Sequence, residues 1–524
     1  MIDPNAARLA QAQQHFSAGD LDAAEQELKS ILAANADHIG ALEAMSFVCV
    51  ARKDYVGAAD FAWRAAQPAA TQPQQLQRAA RICQLVQRHA DAVTLYERLL
   101  AFAPDHADSL HGVAMSLVQM EQGEAALAYL TRLTQRYPLQ AEVHYNHGTL
   151  LGQLRRYDEE LAAYRRAITL KPNFVAAHTN LGVALRDLHR FDEALRQFKT
   201  ALSIDANDPG ARTNRAQTNL LLGQFEHGWR EYEWRWRDGA MAHGFPDAQQ
   251  WKGQALEGKT VLVHAEQGFG DTLQFVRFVP RLAAKGANVI VRVQDALLPL
   301  LQDVASAASV IGKSAPLPAF DYHLPMLSLP HALALRVADF APAGDYLHAD
   351  DAQRAAWSDV IGEPDSVSKR LRVGVVWSGS EAHLNDRNRS IPLATLAPLF
   401  DADACFVSLQ KDMRERDRAC ADELVQHGKL IDTGARLTTF ETTAALVAQL
   451  DVVIAVDTAV AHLAGALGKP VWIALPYTPD WRWQLDRDDS PWYAKARLFR
   501  QTQRGEWGDV VTALRNAVEA GIAA

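Results

Sequence analysis

The sequence predicts an α-helical solenoid followed by an α/β half made of two doubly wound sheets. Three observations support this fold class. Small residues recur every 34 positions in the first part of the chain, short β-branched runs alternate with amphipathic runs from about residue 258, and polar residues follow several of those runs directly. A chain of 524 residues is long enough for several domains, since single cores stop growing at about 250 to 300 residues.

Composition narrows the class of protein. The chain is 48% hydrophobic and 22% charged, with a formal net charge of -9 and no dense basic block, so nucleic-acid binding is not expected. The first residues, MIDPNAARLAQAQQHF, lack the pattern of a signal peptide, and no apolar run reaches the ~20 residues that cross a bilayer. The four cysteines form no CxxC pair. We therefore expect a soluble cytoplasmic protein without a transmembrane segment.

The repeat array is visible in residues 34 positions apart. Pro104, Pro138 and Pro172 close three successive repeats. Another position of the repeat holds a small residue each time, except where it is Glu160. The small residues at that position are Ala24, Ala58, Ala92, Ala126, Ala194 and Gly228. Each repeat is predicted to be a helical hairpin in which small residues allow close approach and proline ends the second helix. About seven repeats are predicted over residues 5–238.

The last repeat ends in GWREYEWRW, residues 228–236. At helical spacing Trp229, Tyr232 and Trp236 share one face, which predicts that they pack the array against the following domain. Stacking of a sugar on these rings is the alternative. Residues 239–257 form the predicted linker.

Strand-like runs alternate with helical runs over residues 258–350. Three runs predict strands, helices are predicted at 271–285 and 295–303, and FDYHLPMLSLP is predicted to be a loop. The strand-like runs are VLVH (261–264), NVIVRV (288–293) and ASVIGK (308–313). This alternation predicts a parallel sheet covered by helices.

A polar segment, residues 351–370, predicts a linker to a second α/β domain over residues 371–524. Five runs in this domain predict strands: 372–378, 405–410, 429–432, 451–456 and 470–475. Two such sheets in tandem place the carboxyl ends of their strands around a shared cleft, where these folds bind ligands.

Two motifs lie at strand ends about 190 residues apart: GFGDTLQFVRFVPRLAAKG, beginning at Gly268, and DTAVAHLAGALGKPVW, residues 457–472. They resemble the two motifs of the lipopolysaccharide heptosyltransferase family of GT-B glycosyltransferases, over about residues 258–515, and the 34-residue repeat resembles the tetratricopeptide repeat. The resemblance implies a GT-B fold with an acceptor domain at 258–350 and a nucleotide-sugar donor domain at 371–524.

The loop AEQGFGDTLQF, residues 265–275, has the glycines of a phosphate-binding loop, Gly268 and Gly270, yet Asp271 stands at its helix start. A carboxylate there is stabilised by the helix dipole and repels phosphate. The glycines are expected to let the chain turn tightly. The resemblance implies that Asp271 is the general base for the acceptor hydroxyl in an inverting single displacement, with Glu266 as the alternative base.

The second motif predicts binding of the donor. Asp457 and Thr458 follow a strand, and the Ala- and Gly-rich helix after them lets its first amides approach a diphosphate. Thr458 and His462 are predicted to contact phosphate, and Asp457 is predicted to bind sugar or ribose hydroxyls. A simple helix cap formed by Asp457 and Thr458 is the alternative, but it explains neither His462 nor the small residues.

Further donor-binding residues are predicted at the first two strand ends of the second sheet. Ser378 and Gly379 offer backbone amides, and Arg389 or Arg387 offers positive charge. The resemblance implies a basic role for Arg389 and then for Lys411. Each basic residue alone is equally typical of a solvated loop.

No metal or cofactor is expected, with the nucleotide sugar acting as substrate. The triplets DAD at 401–403 and DRD at 486–488 mimic a DxD metal motif, but one precedes a strand and the other lies in a charged loop. Enzymes of the GT-B type, which this chain resembles, generally work without metal.

Tetratricopeptide repeats joined to a GT-B domain also occur in protein O-GlcNAc transferases and bacterial flagellin-modifying enzymes. The leading hypothesis is therefore a bacterial glycosyltransferase whose repeats select a polypeptide acceptor, such as flagellin or another surface protein. One alternative is a transferase acting on lipopolysaccharide or surface polysaccharide. Another is an inactive transferase fold that serves as a protein-interaction scaffold. That the array only supports the second half, or forms a homodimer, also stays open.

Overall fold

A computed structural model describes the chain over residues 4–68, 72–237, 244–302, 308–340, 345–361, 370–383 and 385–521. Its residues fall into two units, Met1–Leu185 and Arg186–Ala524. The predicted linkers at 239–257 and 351–370 lie partly outside the described residues, so the predicted domain boundaries remain predictions.

The first unit is a series of helices of 11 to 14 residues that pair as successive hairpins. They are α1 Pro4–Ser17, α2 Leu21–Ala34, α3 Ile39–Ala51, α4 Tyr55–Ala65, α5 Pro73–Leu85, α6 His89–Phe102, α7 Ala107–Gln119, α8 Gly123–Arg136, α9 Ala141–Gln153, α10 Tyr157–Leu170 and most of α11 Val175–Asp187. Asp20 and Asp54 cap α2 and α4 by accepting from backbone N–H groups. Ala24, Ala58 and Ala92 are fully buried, which confirms the predicted small position of the repeat.

The second unit begins with the end of the same array. Its helices are α12 Phe191–Ile204, α13 Pro209–Leu221 and α14 Phe225–Tyr232, followed by a 3-10 turn at Glu233–Arg237. The ring of Trp229 lies 5.0 Å from that of Trp481 and 6.1 Å from that of Phe275, centroid to centroid. Trp229 and Tyr232 are buried. The predicted packing of this aromatic face against the following domain is thereby confirmed.

The first sheet has four parallel strands in the order β3-β2-β1-β4. They are β1 Thr260–His264, β2 Asn288–Val293, β3 Ala308–Gly312 and β4 Tyr322–Pro325. The prediction of a loop over FDYHLPMLSLP was wrong, because β4 pairs with the free side of β1 and buries His323 and Leu324. A four-residue strand that ends in proline shows little alternation in the sequence.

The helices of this domain are short: α15 Phe269–Phe275, α16 Val279–Ala283, α17 Leu298–Leu301 and α18 Leu329–Ala332. The helix predicted over 271–285 is interrupted by a 3-10 turn at Val276–Phe278, just before Pro280 in the first turn of α16. Proline lacks an N–H and favours the first turn of a helix, so a new helix begins there.

The second sheet has six parallel strands in the order β10-β9-β8-β5-β6-β7. They are β5 Leu371–Val376, β6 Ala404–Ser408, β7 Ile431–Asp432, β8 Val452–Val456, β9 Val471–Leu475 and β10 Ala496–Arg500. Five of them match predicted runs, and β10 is an additional edge strand. The helices are α19 Asp351–Ala355, α20 Ser358–Ile361, α21 Asp386–Arg389, α22 Leu393–Leu396, α23 Glu415–Gln426, α24 Phe440–Val447, α25 Ala459–Ala466 and α26 Gly508–Glu519.

One hydrophobic core joins the last repeat to both sheets. Buried residues of α13 and α14 share this core with β1, β8 and β9 and with Trp481, Trp483 and Trp492. A second core lies on the other side of the second sheet and includes buried residues of α26. The observed architecture is the predicted helical solenoid followed by two parallel α/β domains.

Candidate active site

The two motif loops meet where α15 and α25 begin. A Cβ atom on Gly270 would lie 2.7 Å from Cδ2 of His462 and 3.5 Å from Cα of Ala459. Real Cβ contacts are not that short, so a side chain at Gly270 would displace His462. The close approach places the carboxyl end of β1 beside the carboxyl end of β8.

Asp271 lies in the first turn of α15, with 16% of its side chain exposed. Its Oδ2 accepts from the backbone N–H of Gly268 at 2.8 Å, and its Oδ1 accepts from Nη2 of Arg482. Burial raises the pKa of Asp271, and the guanidinium of Arg482 opposes that effect. The result is an oriented carboxylate in a poorly solvated place, which suits a general base.

Arg482 is a site residue that sequence reasoning missed. Its Nε donates to Oε1 of Gln274 at 2.7 Å, and its Nη1 donates to Oδ1 of Asp480 at 2.8 Å. The guanidinium also lies 4.2 Å from the ring of Trp481. The available signal was the motif PDWRW, which puts two opposite charges in an otherwise apolar loop after β9.

Arg500 holds the same loop in place from β10. Its guanidinium donates to the carbonyl oxygens of Arg487 at 2.9 Å, Gln484 at 2.9 Å and Trp483 at 2.6 Å. Gln484 and Asp486 have φ of 51° and 50°, which side chains adopt at a cost. The loop that carries Arg482 is therefore fixed by three carbonyl contacts from a neighbouring strand.

Glu266, the alternative base, lies in a buried ion pair. Nε and Nη2 of Arg235 contact its two oxygens at 2.9 Å and 3.0 Å, and the N–H of Leu327 donates to Oε1 at 2.8 Å. Burial raises the pKa of Glu266, and Arg235 opposes that effect. Only 2% of the Glu266 side chain is exposed, against 16% of the Asp271 side chain, so an acceptor hydroxyl can approach Asp271 more readily, and the geometry favours Asp271 over Glu266 as the base.

Asp457 and Thr458 stand at the end of β8, as the motif predicts. Thr458 is the residue before α25, but its Oγ1 donates back to the carbonyl of Val456 at 3.2 Å and does not cap the helix. Nη1 of Arg389 donates to the carbonyl of Asp457 at 2.8 Å. Burial and the nearby carboxylate of Asp480 raise the pKa of Asp457 to about 6. The first amides of α25 therefore lack the Thr458 cap that the alternative prediction assumed.

His462 is buried inside the helix contact. Its ring stacks on Trp483 at 5.4 Å, and its Nδ1 lies 2.9 Å from Oη of Tyr493. Burial lowers the pKa of His462 well below the ordinary value, so the ring is neutral near pH 7. The structure thus places His462 between Gly270 and Trp483, with 5% of the residue exposed, where it joins the two motifs.

Ser378 and Gly379 follow β5, and Arg389 lies against them. The buried Oγ of Ser378 has no hydrogen-bond partner among the described residues, whereas its N–H donates to Oε1 of Gln410 at 3.1 Å. The N–H of Gly379 donates to Oγ of Ser390 at 3.0 Å. A Cβ atom on Gly379 would lie 2.5 Å from Nη2 of Arg389, so glycine is required for this approach.

Arg414 is a second basic residue that sequence reasoning missed. Its Nη2 donates to the carbonyl of Gly379 at 3.0 Å, and it pairs with the buried Asp386. In the charged run KDMRERDR no position distinguishes Arg414. Lys411, in contrast, lies three residues after β6 with an exposed side chain, and among the described residues no side-chain hydrogen bond or ion pair joins it to the groups around Ser378.

The triplet DAD is used for ion pairs. Asp401 pairs with Lys429, and Asp403 pairs with Arg370 at 2.7 Å. Over the part of the chain that the structure describes, no group of three or more His, Cys, Asp or Glu residues is placed to hold a metal ion. In the same ranges, no helix is both long enough and apolar enough to span a bilayer.

The fold and the site together define a helical repeat array joined to a two-sheet, GT-B-like domain pair. Models of the tetratricopeptide repeat match residues 113–173 and 175–208, and the model of glycosyltransferase family 9 (heptosyltransferase) matches residues 395–507. The chain therefore carries tetratricopeptide repeats followed by a glycosyltransferase family 9 domain, which indicates a glycosyltransferase. The matched range includes Asp457, Thr458 and His462 and lies C-terminal to Asp271.

One curated relative is Protein FlbA of Caulobacter vibrioides, 28% identical over 332 residues, which are 58% of this chain and 54% of the relative. The match thus spans about half the length of that protein. Similar solved structures include the MamA protein, at 18% identity over 32% of this chain and 92% of the other with a TM-score of 0.30. YrrB, a TPR protein with an unusual peptide-binding site, matches at 19% identity over 35% of this chain and 95% of the other, also with a TM-score of 0.30.

Proposed function

We propose that the protein transfers a sugar from a nucleotide-sugar donor to a hydroxyl group of a polypeptide bound by the repeats. The observation that carries this proposal is the contact of Gly270 with His462. It brings the loop of Asp271, a candidate base, next to the helix start that resembles a donor site. A base for the acceptor and amides for a diphosphate then lie at adjacent strand ends.

The proposed reaction is a single displacement with inversion. The acceptor oxygen forms a bond to the anomeric carbon, while the bond from that carbon to the diphosphate oxygen breaks and the nucleoside diphosphate leaves with the electron pair. The proton of the acceptor hydroxyl goes to Asp271. A positioned base of this kind contributes about 10²- to 10⁴-fold to the rate.

The leaving diphosphate needs positive charge or N–H groups. Arg389 has only 13% of its side chain exposed and lies against Gly379. The unpartnered Oγ of Ser378 and the uncapped first amides of α25 are nearby donors at the neighbouring strand ends. In this proposal these groups stabilise the diphosphate, and no metal or cofactor takes part.

The repeats are proposed to hold an extended polypeptide. Asn146 and Asn180 occupy the same position in successive repeats, on α9 and α11, and both side chains are partly exposed. Their amide nitrogens contact His111 at 3.1 Å and Oη of Tyr145 at 3.1 Å. Amide side chains in series can bond the main chain of a peptide without reading its sequence. Flagellin or another surface protein is the proposed class of acceptor.

A second candidate acceptor follows from the family match. Because the family is described as heptosyltransferase, a lipopolysaccharide or surface-polysaccharide acceptor is the competing proposal. The catalytic groups named above would serve either acceptor, and the two proposals differ only in what the repeats bind.

Two measurements on the full-length protein test the proposal. A thermal-shift screen against UDP-, GDP- and ADP-linked sugars should show one nucleotide class that raises the melting temperature, because a ligand that binds only the native state stabilises it. The stabilising sugar, carrying a label, is then incubated with the protein and an extract of the organism that makes it. Label in polypeptide supports the proposal, and label confined to lipid or polysaccharide overturns the choice of acceptor. No binding by any nucleotide sugar would instead support a scaffold.

A further inference from the structure

Three alternating charges connect the two sheets at the candidate site. Asp271 belongs to the loop after β1, whereas Asp480 and Arg482 belong to the loop after β9. Arg482 contacts Asp271 through Nη2 and Asp480 through Nη1. Only 8% of the Arg482 side chain is exposed, against 16% for Asp271 and 33% for Asp480.

We propose that Arg482 and Asp480 are positioning residues for Asp271: Arg482 orients the carboxylate, and Asp480 holds Arg482 while Asp271 carries the acceptor's proton. This inference rests on the proposed function, because it assigns a role to two residues in the proton transfer assumed there.

The guanidinium of Arg482 is immobilised on every side that the structure describes. Besides the two carboxylates it contacts Oε1 of the fully buried Gln274, and its face covers the ring of Trp481. The backbone around it is also fixed, since its N–H donates to Oδ1 of Asp480 at 3.0 Å and its carbonyl accepts from Nε1 of Trp492 at 2.8 Å. A guanidinium held in this way gives the carboxylate of Asp271 one orientation.

Arg482 keeps a carboxylate partner both before and after the proton transfer. Before transfer, the Arg482 cation has two carboxylate partners. When Asp271 takes the proton it becomes neutral, and Arg482 still has the carboxylate of Asp480. A buried cation left without a partner would be costly, so Asp480 removes a penalty that would otherwise oppose proton uptake by Asp271. The proton leaves Asp271 for solvent after the product departs.

Arg482 and Asp480 shift the pKa of Asp271 in opposite directions. Burial raises the pKa of Asp271, Arg482 lowers it, and Asp480 raises it. Among the described residues, His383 and Tyr232 are further titratable groups that interact with Asp271. Burial lowers the pKa of His383 and raises that of Tyr232, so both are neutral near pH 7. Removal of Arg482 is therefore expected to raise the pKa of Asp271, and removal of the Asp480 charge is expected to lower it.

Opposite shifts of this kind distinguish positioning of the base from a structural role. The experiment follows release of nucleoside diphosphate from the turnover-competent UDP-, GDP- or ADP-sugar between about pH 4.5 and 9, with the full-length protein. Arg482→Gln is expected to move the acid limb of the rate profile to higher pH, and Asp480→Asn is expected to move it to lower pH. Arg482→Gln should also reduce kcat about 10- to 100-fold with a smaller change in KM.

Two variants control this experiment. Arg482→Lys keeps the charge but not the fork of donors, so it should restore the acid limb while kcat stays low. Arg487→Gln removes an arginine of the same loop, one that pairs with Asp489. It should change neither kcat nor the position of the acid limb of the rate profile. The inference is overturned if the acid limb stays unchanged in Arg482→Gln and Asp480→Asn, or if it moves in the same direction in both variants.

A measurement independent of turnover completes the test. Thermal unfolding is recorded for Asp271→Asn, Arg482→Gln and the double variant. The double variant should lose clearly less than the sum of the single losses, because the two changes remove one shared contact. Additive losses overturn the pairing. If the wild-type protein releases no nucleoside diphosphate from any of the donors, the proposed function fails. Non-additive losses in the unfolding of the variants would then show only that Asp271 and Arg482 form a structural ion pair.

Discussion

Arg235 holds both carboxylate oxygens of Glu266, through Nε at 2.9 Å and Nη2 at 3.0 Å, with 1% and 2% of the two side chains exposed. Arg235 follows the last helix of the repeat array, and Glu266 lies in the loop that leads to Asp271. The end of the array is thus bonded directly to the candidate catalytic loop.

Replacement of Arg235 by Met is expected to destabilise the protein strongly. Among the described residues, Glu266 would then keep the N–H of Leu327 as its remaining partner while still buried, and such a change costs about 3–5 kcal/mol. Arg237→Met is the matched control, since Arg237 is exposed and its guanidinium covers the ring of Trp234 at 4.0 Å. Urea unfolding measures both, and equal losses in the two variants would contradict the role given to Arg235.

The two glycines of the candidate catalytic loop, Gly268 and Gly270, are expected to respond differently to a methyl group. Gly270→Ala puts Cβ 2.7 Å from His462, whereas on Gly268 the nearest atom is Oδ2 of Asp271 at 3.4 Å. Neither residue has a positive φ. Gly270→Ala should lower the free energy of unfolding by about 1–3 kcal/mol, because the added methyl group pushes α15 away from α25. Turnover should fall as well. Gly268→Ala should leave the melting temperature nearly unchanged, and an equal drop for both would show that the close approach is absent.

Substitutions at Ser378 and Ser390 test whether the Ser378 hydroxyl is available to bind the donor. Ser378→Ala removes no described hydrogen bond of the side chain, so stability should be unchanged, while nucleotide-sugar affinity should fall by about 0.5–1.5 kcal/mol. Ser390→Ala removes the bonds to Gly379 and Asp386 and should reduce stability first. Calorimetric titration and thermal unfolding separate the two effects. Unchanged affinity in Ser378→Ala would remove this residue from the donor site.

Asp457 predicts a pH dependence of stability with a definite sign. Its pKa in the folded protein is about 6, raised from an ordinary value of 3.8. Between these values the folded protein keeps a proton that the unfolded chain has released, so stability falls as the pH rises from about 4 to about 6. Asp457→Asn should therefore be more stable than the wild type by about 1–3 kcal/mol above pH 6, and this gain should vanish near pH 4.

Urea unfolding at about pH 4 and about pH 7.5 measures this difference. Asp422→Asn, at an exposed position of α23, is the control and should keep the wild-type pH dependence. A stability gain for Asp457→Asn that is the same at both pH values would contradict the assigned protonation.

The fold was largely predictable because its patterns are local. The 34-residue period records contacts between neighbouring hairpins, and the buried strands of the second sheet are nearly continuous apolar runs. β4 and β10, which both lie at sheet edges, were not predicted. β4 has four residues, and β10 reads ARLFR, with a charged residue at its second and last positions. Edge strands need fewer apolar residues and therefore give a weaker signal.

The site was predictable where a residue directly follows a strand. Ser378 and Asp457 follow β5 and β8 as expected, whereas Asp271 was predicted from its place at a helix start and lies in the first turn of α15. Arg482 was missed because its partner Asp271 is 211 positions away, and nothing local indicates that pairing. The buried ion pair of Glu266 depends in the same way on how the last repeat packs against the first sheet. The predicted contact of His462 with phosphate stays a prediction, and its burial beside Trp483 depends on tertiary packing that the motif does not indicate.

The central claim is that Asp271 is the base and that Glu266 is not, and a comparison of Asp271→Asn with Glu266→Gln tests it most directly. The full-length variants are assayed with the donor found by thermal shift, for both donor affinity and nucleoside diphosphate release. Asp271→Asn should keep donor affinity and folding but lose about 10²- to 10⁴-fold in kcat, and Glu266→Gln should keep kcat despite a lower melting temperature. Wild-type turnover in Asp271→Asn, or lost turnover in a folded, donor-binding Glu266→Gln, would contradict this account.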